Sequence, residues 1–150
     1  LFSYVDHPEL ARAMTGIVRE ELEHFEMVLG RIQERGWPWR KLRPSRYGER
    51  LHGLIRRDEP GKAVDRLLVA ALIEARSCER FGILRDHLAD RDLADFFGSL
   101  YESEARHHGS YVQLAQLFAT RDEVRARLAE LAEAEAAIIL EGEPLARVHS

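Results

Sequence analysis

Apolar residues recur along this chain at steps of three and four, and strict apolar–polar alternation is absent, so helices are expected throughout and no strands. Leu10, Met14, Ile17, Glu21, His24 and Val28 trace the first stripe. Asp6, with Pro8 and Glu9 behind it, reads as an N-cap with a capping-box glutamate; Gly36 and Pro38 close that helix. The second stripe is Val64, Leu67, Ala71, Glu74, Cys78 and Phe81, in a helix expected from about residue 58 to 88. The third is Phe97, Leu100, Glu104, His107, Tyr111, Leu114 and Phe118, in a helix from about 92 to 118. Only Ala89-Asp90-Arg91 separates these two, which makes them a helical hairpin. Thr120-Arg121-Asp122-Glu123 is a further capping box. It opens a last helix through about residue 140, whose Glu/Ala/Arg-rich character marks it as peripheral.

The order of elements carries topology. A long helix, a long crossover over residues 37–58 with a short helix from Ser45, and then a tight hairpin match an all-α four-helix bundle of the ferritin-like kind. Such a bundle has two hairpins joined by one crossover. Here the second hairpin is complete, whereas the first shows only its second helix, with Leu1-Phe2-Ser3-Tyr4-Val5 as the tail of another. The chain starts at Leu1 in mid-pattern, so a first core helix is expected upstream. Residues 1–150 are expected to form a single domain, which at this length buries a core without staples.

Each apolar stripe is interrupted by chemistry. Glu21 with His24, and Glu104 with His107, are Glu-x-x-His pairs, and three residues leave both side chains on one helix face. Glu74 is the sole charge on its stripe. Carboxylates on a buried face need something there to offset their desolvation. Two Glu-x-x-His helices with glutamates from the others are how helix bundles hold a carboxylate-bridged pair of metal ions. The expected ligands are therefore Glu21, His24, Glu74, Glu104 and His107. A sixth, carboxylate ligand belongs on the absent upstream helix. Glu9 is no substitute, lying about 18 Å along the same helix from Glu21.

The motif alone is weak, since about one Glu-x-x-His is expected by chance in a chain of this composition. Placement discriminates. The third match, Glu49-Arg50-Leu51-His52, sits in the basic crossover and reads as surface. Glu79, the competitor of Glu74, lies about 140° around the helix on a more mixed face. Glu20, Glu23, Glu26, Glu102 and His108 read as surface groups or supports beside the site. Cys78 reads as a small buried hydrophobe, and Tyr101 and Tyr111 as core. Oxygen-rich ligands with two imidazoles suit iron or manganese over zinc. Two iron ions there would serve O2-dependent hydroxylation, radical generation or ferroxidation.

Composition narrows the setting. One cysteine excludes an internal disulfide and suits a reducing cytoplasm. No apolar run approaches a membrane span. The net charge of −4 hides a local excess: residues 37–57 carry Arg40, Lys41, Arg43, Arg46, Arg50, Arg56 and Arg57 against Glu49 alone. Of 22 basic residues only Lys41 and Lys62 are lysine, a bias that fits phosphate recognition and also plain genome composition.

Three strings carry a more specific signal: Arg19-Glu20-Glu21-Leu22-Glu23-His24-Phe25, Ile73-Glu74-Ala75-Arg76-Ser77-Cys78-Glu79-Arg80-Phe81 and Glu102-Ser103-Glu104-Ala105-Arg106-His107-His108. They resemble the MiaE-type tRNA hydroxylases, as do Ser45-Arg46-Tyr47 and the terminal Arg147-Val148-His149-Ser150. The resemblance implies a ferritin-like non-haem di-iron monooxygenase. Its substrate would be the isopentenyl side chain of 2-methylthio-N6-isopentenyl adenosine in tRNA, with O2 as co-substrate and an unidentified electron donor. It implies that Glu21, His24, Glu74, Glu104 and His107 hold two iron ions. It also gives Arg40, Lys41, Arg43, Arg46 and Arg50 a tRNA-binding role, with Trp37, Trp39 and Tyr47 available to stack a base. The alternatives are another ferritin-like di-iron protein (a quinone hydroxylase, ferroxidase or peroxidase) or a helical interaction protein with coincidental motifs.

Overall fold

The computed structural model describes residues 4–41 and 44–142. Leu1, Phe2 and Ser3 of the expected helix tail, Arg43, and the Arg147-Val148-His149-Ser150 terminus lie outside the described residues. The helices run α1 (Pro8–Glu34), α2 (Tyr47–His52), α3 (Gly61–His87), α4 (Arg91–Ala115) and α5 (Arg121–Glu141), with no strand among the described residues. They fall into two compact units, Leu1–Pro44 and Ser45–Ser150.

The first unit is α1 and the chain that follows it. Its N-cap is His7, not Asp6, and no side chain caps it; Glu9 instead meets His7 Nδ1 at 3.4 Å. Pro8 takes the first helical position, where a missing N–H costs nothing. The C-terminus is a Schellman turn. Gly36 at φ +63° lets its N–H reach Gln33 O at 3.0 Å and the Trp37 N–H reach Ile32 O at 3.0 Å. Leu10 and Ile17 of the expected stripe are buried, but Val28 and Glu21 are exposed. Val18, Leu22 and Phe25, at steps of four and three, also stand half open to solvent.

The second unit is organised around the α3–α4 hairpin. Asp90 caps α4 by accepting the Leu93 N–H at 3.1 Å. The helices come close at glycines: a Cβ on Gly82 would sit 3.4 Å from the Tyr101 ring, and one on Gly98 3.2 Å from Arg85 Cδ. Phe81 and Phe97 stack across the hairpin at 5.5 Å between centroids, and the Arg85 guanidinium lies 4.9 Å over the Tyr101 ring. Helix α4 ends at Ala115, and Gln116, Leu117 and Phe118 continue it with tighter three-residue hydrogen bonds.

Helix α5 opens with the expected capping box between Thr120 and Glu123. It is more than a peripheral strut. Val124, Leu131, Glu135 and Ile138 are buried along one side, while the other side faces solvent. Leu51 of α2, Leu68 of α3 and Leu131 of α5 are the largest apolar side chains sealed in this core.

Candidate metal centre

Glu74 on α3 and Glu104 and His107 on α4 converge inside the second unit. Each offers one ligand atom, and these atoms all lie within 4.8 Å of one another. Their residues are 9%, 6% and 3% exposed. Two carboxylates held that close in a dry setting repel each other and have lost their hydration. A divalent cation between them removes both penalties, and an imidazole nitrogen supplies the third donor. Two oxygen donors and one nitrogen suit iron or manganese.

The hairpin that carries these groups is braced beside them. His108, next to His107, hydrogen-bonds through Nδ1 to Ala71 O at 2.8 Å, tying α4 to α3 one turn before Glu74. Cys78 donates its thiol to Tyr101 O at 3.7 Å, and burial pushes that thiol above its ordinary range. It is a packed, protonated group rather than a reactive one. Tyr111 is buried one turn past His107. Glu79, the competitor of Glu74, is exposed and pairs with Arg76.

On α1, Glu21 and His24 face each other at 3.5 Å between Oε1 and Nδ1. The His24 side chain is 14% exposed and that of Glu21 45%. The third Glu-x-x-His pair behaves as the sequence indicates, with Glu49 and His52 both exposed.

Two buried polar networks went unread in the sequence. Glu135 of α5 accepts the Tyr47 hydroxyl at 2.7 Å and a two-pronged contact from Arg76 at 3.0 and 2.9 Å. Burial, then the Glu135 carboxylate, pushes the Tyr47 phenol above its ordinary range, so it remains a donor. Glu135 stands on the stripe of Val124, Leu131 and Ile138, and the reasoning that singled out Glu74 applies to it equally. In the second network Asp65, fully buried, accepts from Arg56 at N, Nε and Nη2 and from Arg127 at Nε and Nη2, all between 2.7 and 3.0 Å. Burial opposes its charge, but the hydrogen bonds from Arg127 and Arg56 prevail and hold the carboxyl at about 2.

The crossover cations divide between the units. Arg40 and Lys41, both exposed, line an open cleft of about 770 Å³ with Ile32, Trp37, Pro38 and Trp39. Trp37 and Trp39 are 47% and 65% exposed. Trp39 meets Phe25 edge to face at 6.1 Å, and the Arg35 guanidinium lies 5.5 Å over the Trp37 ring. In the second unit Arg46 is exposed, and Arg50 pairs with Glu141 at 2.7 Å. No helix among the described residues is long and apolar enough to cross a membrane.

A family model and two curated relatives point to one family. A family model described as tRNA-(MS[2]IO[6]A)-hydroxylase (MiaE) matches residues 1–150. A tRNA 2-(methylsulfanyl)-N(6)-isopentenyladenosine(37) hydroxylase of Pseudomonas putida is 44% identical over 131 residues, 87% of this chain and 63% of that protein. The Salmonella typhimurium protein of the same name is 41% identical over 142 residues, 95% of this chain and 52% of the relative. The chain thus spans less than two thirds of the length of either curated relative. Among solved structures, a Synechococcus protein described as having aldehyde deformylating oxygenase activity superposes with a TM-score of 0.92 at 40% identity, covering 99% of this chain and 76% of the other. The fold is all-α and ferritin-like, and the chain belongs to the MiaE family.

Proposed function

We infer that this chain carries the catalytic core of a non-haem di-iron monooxygenase. The substrate is the isopentenyl side chain of 2-methylthio-N6-isopentenyl adenosine in tRNA, and the setting is the cytoplasm. The reading is supported by family membership over the whole chain and by the names of the two curated relatives. The observation that carries the chemistry is the buried convergence of Glu74, Glu104 and His107. We assign Glu21 and His24 as the matching half of the ligand set, because they repeat the Glu-x-x-His spacing of Glu104 and His107. Residues 1–150 act on this reading as one ferritin-like domain.

Two bound iron ions would supply the oxidising power for inserting an oxygen atom into a C–H bond of the isopentenyl side chain. The balance is one O2, two electrons and two protons consumed, with one oxygen in the alcohol and the other in water. The side chains hold, orient and keep dry. Burial of Glu74, Glu104 and His107 excludes bulk water, and His108 on Ala71 O fixes the register of α4 against α3. Arg40, Lys41, Arg43, Arg46 and Arg50 are assigned to the tRNA backbone. The exposed indoles of Trp37 and Trp39, beside Arg40 and Lys41, support base stacking next to phosphate contacts.

The test is direct. Reduced, iron-loaded protein is incubated under O2 with tRNA carrying the 2-methylthio-N6-isopentenyl nucleoside, and nucleosides are analysed by mass spectrometry. Gain of one oxygen on the isopentenyl group is expected. The Synechococcus likeness favours a second reading, an oxygenase acting on an aldehyde. Turnover of an aldehyde in place of the tRNA would establish it.

A further inference from the structure

A pocket in the Ser45–Ser150 unit lies at the start of α3, and none of Glu74, Glu104 and His107 lines it. It encloses about 320 Å³ and is lined by His52, Arg56, Arg57, Lys62 and Arg66, with Gly53 and Ile55. Among the described residues no carboxylate lines it. Lys62 and Arg66 are four residues apart on α3 and so adjacent on one face, an arrangement of like charges that destabilises a helix. The first turn of α3 has no acidic residue of its own, although the positive end of a helix favours anions. Glu59 sets its carboxylate on the Ala63 N–H at 3.0 Å and is not among the residues that line the pocket. Arg57, Lys62 and Arg66 make no ion pair among the described residues, and Arg57 and Arg66 are exposed.

Arg56 is set in place before any ligand arrives. Its Nε and Nη2 are bonded to the buried Asp65, which fixes the guanidinium plane and leaves Nη1 open. That plane lies against the backbone of Gly61, where a Cβ would come within 2.9 Å of Arg56 Nε. A clamped guanidinium loses little rotamer freedom on binding an oxyanion, and its remaining donors keep a fixed direction.

We propose that this pocket is a phosphate-binding site whose occupant is a phosphodiester of the RNA backbone, contacted by Arg56, Arg57, Lys62 and Arg66. The assignment of the occupant rests on the tRNA reading above; the pocket's affinity for phosphate does not. It adds these four cations to the residues assigned to the RNA backbone above.

The experiment measures a fluorescein-labelled anticodon stem-loop RNA binding to the iron-loaded protein by anisotropy across a salt series. Lys62→Ala and Arg66→Ala are compared with wild type and with Arg91→Ala, which removes an exposed cation beyond the far end of α3. Each pocket variant is expected to lose roughly 3–10-fold in affinity and about one unit of log–log salt slope, with Arg91→Ala near wild type. Circular dichroism controls for folding. Unchanged affinity and slope in both pocket variants, with wild type binding RNA, overturns the proposal and leaves the hydroxylase reading standing. Inorganic pyrophosphate is titrated in parallel. If wild type binds pyrophosphate but not RNA, and the variants bind neither, the tRNA reading and the RNA occupant both fall, and a small phosphate ester takes their place.

Discussion

Arg76 in α3 donates two parallel hydrogen bonds to Glu135 in α5, Nε to Oε1 at 3.0 Å and Nη2 to Oε2 at 2.9 Å. The same carboxylate accepts the hydroxyl of Tyr47, so α2, α3 and α5 meet at one buried anion. Arg76 stands two residues from Glu74, and the helix face that aims Glu74 at Glu104 and His107 is therefore anchored from behind.

Removing that anion takes the two-pronged partner from the largely buried Arg76 guanidinium, which keeps Glu79, and the carboxylate acceptor from the buried Tyr47 hydroxyl. Glu135→Ala is expected to lower unfolding free energy by about 3 kcal/mol, and Tyr47→Phe by about 1.5 kcal/mol, with urea denaturation as the readout. A loss in Glu135→Ala no larger than that in Tyr47→Phe would show that the Arg76 contact contributes nothing.

Asp65 gives the fold an acid-sensitive joint. Its carboxyl is held at about 2, below the ordinary 3.8, so the stabilisation it contributes is present above pH 4 and is lost as pH falls toward 2. The contribution is no more than about 2 kcal/mol after allowance for solvent screening. Urea midpoints of wild type and Asp65→Asn, measured from pH 6 to 2.5, should converge as the pH drops. Parallel curves across that window would exclude Asp65 as the source.

Gly61 is where Arg56 lies against the α3 backbone, and a Cβ there would stand 2.9 Å from Nε. Because Asp65 clamps that guanidinium, it cannot swing aside without breaking bonds. Gly61→Ala is therefore expected to cost about 1–3 kcal/mol, although alanine is the better helix former. The same substitution at Gly109, also in a helix but with open space around it, should be neutral or stabilising. Stabilisation at both positions would contradict the clamp.

The metal assignment predicts a linked change in stability and stoichiometry. Ferrous ion added anaerobically to the metal-free protein should raise Tm by about 5–10 °C at saturating concentration. Glu104→Ala should abolish that rise and the iron content read by elemental analysis. Without metal it should be at least as stable as wild type, because one of two crowded buried carboxylates is gone. An unchanged iron content in Glu104→Ala would remove this residue from the site.

The sequence by itself determined the helices, their order and the charged interruptions of the apolar stripes. Periodicity is a local property: Glu74, Glu104 and His107 stand out because their neighbours one turn away are apolar. The capping box at Thr120 and the α3–α4 turn were legible for the same reason. Glu135 and Asp65 were not read, although Glu135 stands on an apolar stripe as Glu74 does. What separates a candidate metal ligand from a structural anion is the partner that meets it. Arg76 and Tyr47 reach Glu135 from other helices, whereas Glu74 meets another carboxylate and an imidazole. Those encounters join residues far apart in the chain, so only the packing of α2, α3, α4 and α5 could decide them.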